Sequence, residues 1–143
     1  CSKLLLERMA IDYCRWYGMS IAGFRLSRIV YDNHFGRERL KTFSSDRGMG
    51  SDCLWSYIDA RDVGSACLAW LESDHQGAEV FNVAANNIHL DAVSEELLQE
   101  YGYAHLSTPS FTTPDQTAFS TEKIRDTLGW KEEHDWRDIL NGE

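Results

Sequence analysis

Apolar residues open the chain in a helical rhythm. Leu5, Met9, Tyr13 and Trp16 recur at near-helical spacing, and Gly18 follows as a stop signal. The pattern predicts a helix over residues 2–17. The run SIAGFRL at 20–26 then reads as a strand, which Ile29, Val30 and Tyr31 would extend. Residues 32–50 are polar and rich in Gly, Ser, Asp and Arg. They read as a long surface loop with a short helix near 37–43, and loops of that length are often functional. LWSYI at 54–58 is the next strand. A helix over 62–72 places Val63, Ala66, Cys67 and Trp70 on one face. Gly77 starts a turn into the strand EVFNVA at 79–84. A helix over 91–101 carries Val93, Leu97 and Leu98 and ends at Gly102. Both prolines fall in a loop at 108–114. Ser120 caps a last helix over 121–128, with Lys123 rather than an acid at the third position, so the cap is a simple one. Strands alternating with helices indicate an α/β fold. No repeat, low-complexity tract or clear domain boundary interrupts the order.

Composition narrows the setting. With 143 residues, 43% of them hydrophobic, the chain can bury a core without disulfides. No apolar run is long enough for a membrane-spanning helix. Position 1 is Cys rather than Met and no secretory signal is visible, which reads as a fragment, a processed form or an ordered remnant. A net charge of −9 argues against duplex DNA or an anionic membrane as partner, because phosphate neutralisation needs Lys and Arg. The four cysteines form no C-x-x-C pair. Cys14 and Cys67 fall in apolar helical patterns and read as small core residues, in a reducing, cytoplasmic compartment. His34, His75, His89, His105 and His134 have no metal-ligand spacing, so no metal site is expected. There is no G-x-S-x-G nucleophile elbow.

Five segments, in order, carry a resemblance. Ser2-Lys3 opens a helix of small and apolar residues ended by Tyr17-Gly18. Phe24-Arg25-Leu26-Ser27-Arg28-Ile29-Val30-Tyr31 is similar to "LRxxNVYG". Leu54-Trp55-Ser56-Tyr57-Ile58-Asp59-Ala60-Arg61-Asp62-Val63 is similar to "FVHVDDVA" in its "LWSYVDARDVA" form. Val80-Phe81-Asn82-Val83-Ala84 is similar to "VYNVG", and residues 120–130 to "SxEKARxxLGW". Together they resemble the NAD(P)-dependent epimerase/dehydratase family, the extended short-chain dehydrogenase/reductases, over nearly the whole chain.

The resemblance implies the C-terminal portion of a Rossmann-like doubly wound sheet plus a small mixed α/β substrate domain, with the N-terminal nucleotide-binding half absent. Residues 1–31 would end the nucleotide-binding domain. Residues 32–143 would be mainly substrate-binding, with returning Rossmann elements. No G-x-x-G-x-x-G stands in the sequence. The family's catalytic Tyr would fall four residues before Lys3, so Lys3 matches the Lys of its Tyr-x-x-x-Lys motif. One helical turn places both on one face, where the ammonium lowers the phenol's pKa from about 10. In the family this Lys also holds the nicotinamide ribose. Ser27 matches a contact to the nicotinamide end of NAD or NADP. Arg28 stands where many members have Asn. Its fork suits a carboxylate or phosphate. Arg37 lies where uronate dehydrogenases of this superfamily carry a carboxylate-binding Arg, and His34 lies in the same presumed substrate loop. Each Arg equally suits a structural or solvated role. Arg25, basic in an apolar strand, reads as a paired structural residue. Tyr57, Asp59 and Asp62 mark a strand-to-helix joint and read as structural.

The function implied is oxidation, reduction or epimerisation of a sugar or nucleotide sugar by a homodimeric enzyme, inactive as this stretch alone. A uronate-dehydrogenase-like oxidation is one alternative. A non-catalytic nucleotide- or protein-binding member of the fold is another, and an acidic α/β interaction domain a third. The strand at 20–26 would be internal in the intact sheet, leaving exposed edges when its neighbours are removed.

Overall fold

The computed structural model describes residues 2–106, 108 and 110–142. Cys1 and Pro109, the latter in the expected 108–114 loop, lie outside them. The first helix, α1 (Ser2–Tyr17), ends where the Gly18 N–H meets the Cys14 carbonyl at 2.9 Å. Gly18 takes a left-handed φ of +64°, which a side chain would disfavour. Strand β1 (Ser20–Leu26) follows, then β2 (Arg28–Val30). The expected extension of β1 through Ile29–Tyr31 does not form. At Ser27 the chain changes neighbours: β1 pairs with residues 77–83 and the Ser27 N–H still donates to the Val83 carbonyl, but β2 pairs with residues 57–59.

Two parallel pairs result, β1 with β4 (Gly77–Val83) and β2 with β3 (Tyr57–Asp59). Parallel strands need crossovers, and helices supply them: α2 (His34–Ser45) between β2 and β3, and α3 (Ala60–Leu71) between β3 and β4. Helices α4 (Ser94–Glu100), α5 (Glu122–Leu128) and α6 (Trp136–Asn141) complete the chain. This α/β arrangement matches the expected portion of a Rossmann-like fold. None of the helices among the described residues is long and apolar enough to cross a membrane.

Alternation along β4 turns Phe81 and Val83 inward, where they meet Ile58, Ala66, Trp70, Ile124 and Trp130. Tyr57, Leu40, Trp136 and Ile139 form a second cluster, and Trp55, Ile88, Leu97 and Leu98 a third. Helix α1 buries no residue fully. Leu4, Leu5, Leu6, Met9 and Trp16 stay exposed on it, with Trp16 at 69%.

Several expectations are corrected. The short helix expected near 37–43 within a loop is longer, spanning residues 34–45: Asn33 caps it by accepting from the Gly36 N–H at 2.8 Å. The third strand starts three residues later than expected, because Leu54 and Trp55 hold left-handed φ of +52° and +54°. Helix α4 begins at Ser94 rather than 91. Helix α5 has Thr121 at its cap position, although Ser120 Oγ still accepts from the Glu122 N–H at 3.4 Å. Cys67 is exposed and Cys14 half-buried, so neither is a core residue.

The start of α2 is tightly seated. Gly36 is buried, and a methyl group there would overlap the Tyr31 carbonyl oxygen. Gly36→Ala therefore costs about 1–3 kcal/mol, read as a fall in the denaturation midpoint. An unchanged midpoint would show that the Tyr31–Asn33 turn yields freely.

Candidate functional site

Helix α1 and strand β1 run in opposite directions through the Gly18 turn. Sixteen helical residues span about 24 Å and seven strand residues about 23 Å. The start of α1 is therefore level with the carboxyl end of β1. An open cleft of about 1050 Å³ runs between them, lined among others by Lys3, Glu7, Phe24 and Leu26. Lys3 is exposed and makes no ion pair among the described residues. One turn on, Glu7 accepts two 2.8 Å hydrogen bonds from Arg25, which hold its carboxyl below the usual range. Arg25 is thus paired, as expected, and ties α1 to β1.

Ser27 sits at the divergence of β1 and β2. Its hydroxyl is 2.8 Å from that of Ser56, which in turn is 3.1 Å from Thr117 Oγ1. Ser56 is fully buried and Thr117 nearly so. Arg28 follows on β2. Its guanidinium lies 4.1 Å from the Phe43 ring centre and donates to Asp52 at 3.0 Å. The Asp52 side chain is 78% exposed, so a ligand anion could replace it at little cost. Arg28 also stands close to the Cys53 thiol, which burial pushes up in pKa.

Arg37 lies elsewhere. Its Nε and Nη2 both donate to Asp32 Oδ1, at 3.0 and 2.7 Å. That bond, with help from Arg61, holds the Asp32 carboxyl low in pKa. An internal carboxylate already occupies the Arg37 fork. His34 is the exposed first residue of α2. The structure brings Lys3 to the end of β1, beside which Ser27 and Arg28 follow. Among the described residues Arg28 and Arg37 share no partner: Asp52 engages the first and Asp32 the second.

The Tyr57–Asp62 joint is structural in its contacts. Tyr57 OH donates to Asn87 Oδ1 at 2.8 Å and accepts from the Trp136 N–H at 3.1 Å, and burial pushes its pKa up. Asp59 caps α3 and binds Arg61 through both oxygens. Asp62 accepts from the backbone N–H groups of Glu133 and His134. Among the described residues no group of three acids, His or Cys could hold a metal ion.

His89 has no role assigned by the sequence pattern. It is 1% exposed, its Nδ1 lies 2.6 Å from the Trp55 carbonyl, and its Nε2 has no hydrogen-bond partner among the described residues. Burial is the main cause of its lowered pKa. The unfolded chain therefore takes up a proton first as pH falls, and stability contributed by neutral His89 declines below about pH 6.5. Between pH 7 and 5 the wild type should lose more stability than His89→Gln, measured by urea denaturation. Parallel losses would exclude His89 as the titrating group.

No protein-family model and no curated protein matches the chain. Among solved structures it is similar to RMD from Pseudomonas aeruginosa, solved in complex with NADPH. The TM-score is 0.57 at 18% sequence identity, over 99% of this chain and 54% of that one. The chain thus shares its fold with, and spans about half the length of, that NADPH-complexed protein.

Proposed function

We propose that this chain is the C-terminal portion of an NAD(P)-dependent oxidoreductase or isomerase of the epimerase/dehydratase type, acting on a sugar or nucleotide sugar. The observation that carries the reading is the position of Lys3. Lys3, without an ion pair among the described residues, lines an open cleft whose wall also includes Leu26 at the carboxyl end of β1, a parallel strand. Ligands of open α/β sheets bind outside the carboxyl ends of the strands. The NADPH complex of the similarly folded RMD supports NADP(H) as the cofactor class.

The residues present fit one end of a dinucleotide. Lys3 offers three donors to ribose hydroxyls, and Ser27 a hydroxyl at the strand end. Nothing here matches the glycine-rich loop that would hold the pyrophosphate, so that part falls to chain preceding Lys3 in the complete gene product. The dinucleotide, when bound, supplies hydride chemistry. Lys3 orients the ribose and favours the phenolate of a tyrosine one turn before it. Arg28, flattened on Phe43, exchanges Asp52 for an anionic group of the substrate. His34 and Arg37 flank the substrate side. With Arg37 held by Asp32, Arg28 is the stronger anion binder, and a nucleotide sugar fits better than a uronate.

The exposed apolar side chains of α1 have two uses in this reading. Some pack against the remainder of the sheet, and Leu5, Met9 and Trp16 form a contact in a homodimer. Titration of the complete gene product with NADPH and NADH, followed by nicotinamide fluorescence, tests the proposal. Saturable binding that weakens in Lys3→Met is expected. Binding of neither cofactor would end it, leaving a protein-binding role for the same fold.

A further inference from the structure

Ser27, Ser56 and Thr117 form a line of three hydroxyls, with three protons and two contacts to share them. The direction of the line follows from what surrounds its ends. Thr117 Oγ1 is buried, and its other neighbour, the Phe119 N–H at 3.5 Å, is a donor. The Thr117 proton therefore has one acceptor among the described residues, Ser56 Oγ. Ser56 has a single proton, already refused by that neighbour, so it donates to Ser27 Oγ. Reversing the line would strand the Thr117 proton in a dry site with nothing to receive it. In the forward direction the surplus proton sits on Ser27, at the part-buried end of the line, and no described acceptor meets it.

Resting on the function proposed above, we infer that Thr117 and Ser56 are positioning residues that fix Ser27 as a hydrogen-bond donor to an acceptor oxygen at the nicotinamide end of the bound dinucleotide. The line joins two parts of the chain far apart in sequence. Thr117 is anchored by its N–H to the Asn86 carbonyl at 2.8 Å, and the preceding residue's carbonyl accepts from Ser94 Oγ at 2.6 Å. The segment after Pro114 is thereby coupled to the end of β1, where Ser27 N–H holds Val83. Without Thr117, the Ser56 hydroxyl can rotate, and Ser27 no longer keeps one polarity.

Two measurements test this. In the complete gene product, Thr117→Val should weaken NADPH binding about 3- to 10-fold, and Thr117→Ser should restore it. In a Ser27→Ala background Thr117→Val should cost nothing further, because the route to the ligand is already cut. An equal loss in both backgrounds would overturn the inference, since a packing defect at Thr117 would act without Ser27. Neutron diffraction from deuterated crystals reads the line with no ligand bound. Deuterium on Ser56 Oγ directed at Ser27 supports the inference, and deuterium directed at Thr117 overturns it. Should the wild type bind no dinucleotide, the proposed function fails, while the neutron map still decides the direction of the line.

Discussion

Replacing Lys3 by Met in the complete gene product is expected to lower kcat by about 100-fold or more while leaving the fold intact. Lys3 is exposed and without an ion pair among the described residues, so its loss should change stability by no more than about 0.5 kcal/mol. The catalytic loss has a different origin. A phenol that titrates near 10 is a poor base at neutral pH, and a positive charge one helical turn away favours its ionised form. Removing that charge should also displace the phenol-dependent limb of the pH–kcat profile to higher pH. Lys3→Arg keeps the charge but replaces a compact ammonium by a longer planar fork, and should recover only part of the rate. The measurement is kcat against pH for the three proteins beside their thermal midpoints. A full rate in Lys3→Met would remove Lys3 from the chemistry. A rate loss matched by a collapse in midpoint would instead mark it as a residue needed for folding.

The elements that the hydrophobic pattern made legible are those with one dominant period and a clean stop. Helix α1 and strand β1 have the bounds expected, because Leu5, Met9, Tyr13 and Trp16 keep a helical rhythm and Gly18 supplies the left-handed turn. The full length of helix α2, beyond the short helix expected near 37–43, was hidden by composition. Leu40 is the one large side chain it buries fully, and apart from Phe35 and Phe43 the rest of the helix is polar or glycine. Its start signal was present all the same, as Asn33 three residues after the end of β2. Helix α6 was missed for a similar reason. Trp136 and Ile139 are its buried pair, and Asp135 caps it by accepting from the Arg137 N–H at 2.8 Å. LWSYI marks the third strand, but its start could not be read there, since nothing in that run announces two residues with positive φ. For the candidate site, sequence marked Ser27 and Arg28 as neighbours. It gave no sign of Ser56 and Thr117, which are 61 residues apart and meet only after folding. Asp52 and Asp32, which engage Arg28 and Arg37, were likewise invisible as partners, because an acid in an acidic chain carries no label for the base it will meet.

The largest stability effect should come from Asp62. Its carboxylate is 1% exposed and receives the Glu133 N–H at 3.1 Å, the His134 N–H at 3.1 Å and a contact with His134 Nδ1 at 2.8 Å. Glu133 and His134 follow Trp130 and precede Trp136, both buried in separate core clusters. One side chain on α3 thus fixes the path between two anchors of the C-terminal segment. Asp62→Ala would leave two backbone donors without an acceptor and open space beside them, at a cost of about 3–5 kcal/mol. In a domain of this size that corresponds to a fall in Tm of roughly 6–20 °C. Asp62→Asn keeps the volume and one acceptor oxygen, so it should recover part of the loss. Because the Trp130 Nε1 also donates to Ser65 on the same helix, the first anchor should persist while the stretch to Trp136 loosens. Hydrogen exchange should then show loss of protection at Glu133, His134 and the α6 amides before the amides of β4. If Asp62→Ala melts within a degree or two of the wild type, or if exchange rises uniformly, the C-terminal segment is held by its tryptophans and not by this carboxylate.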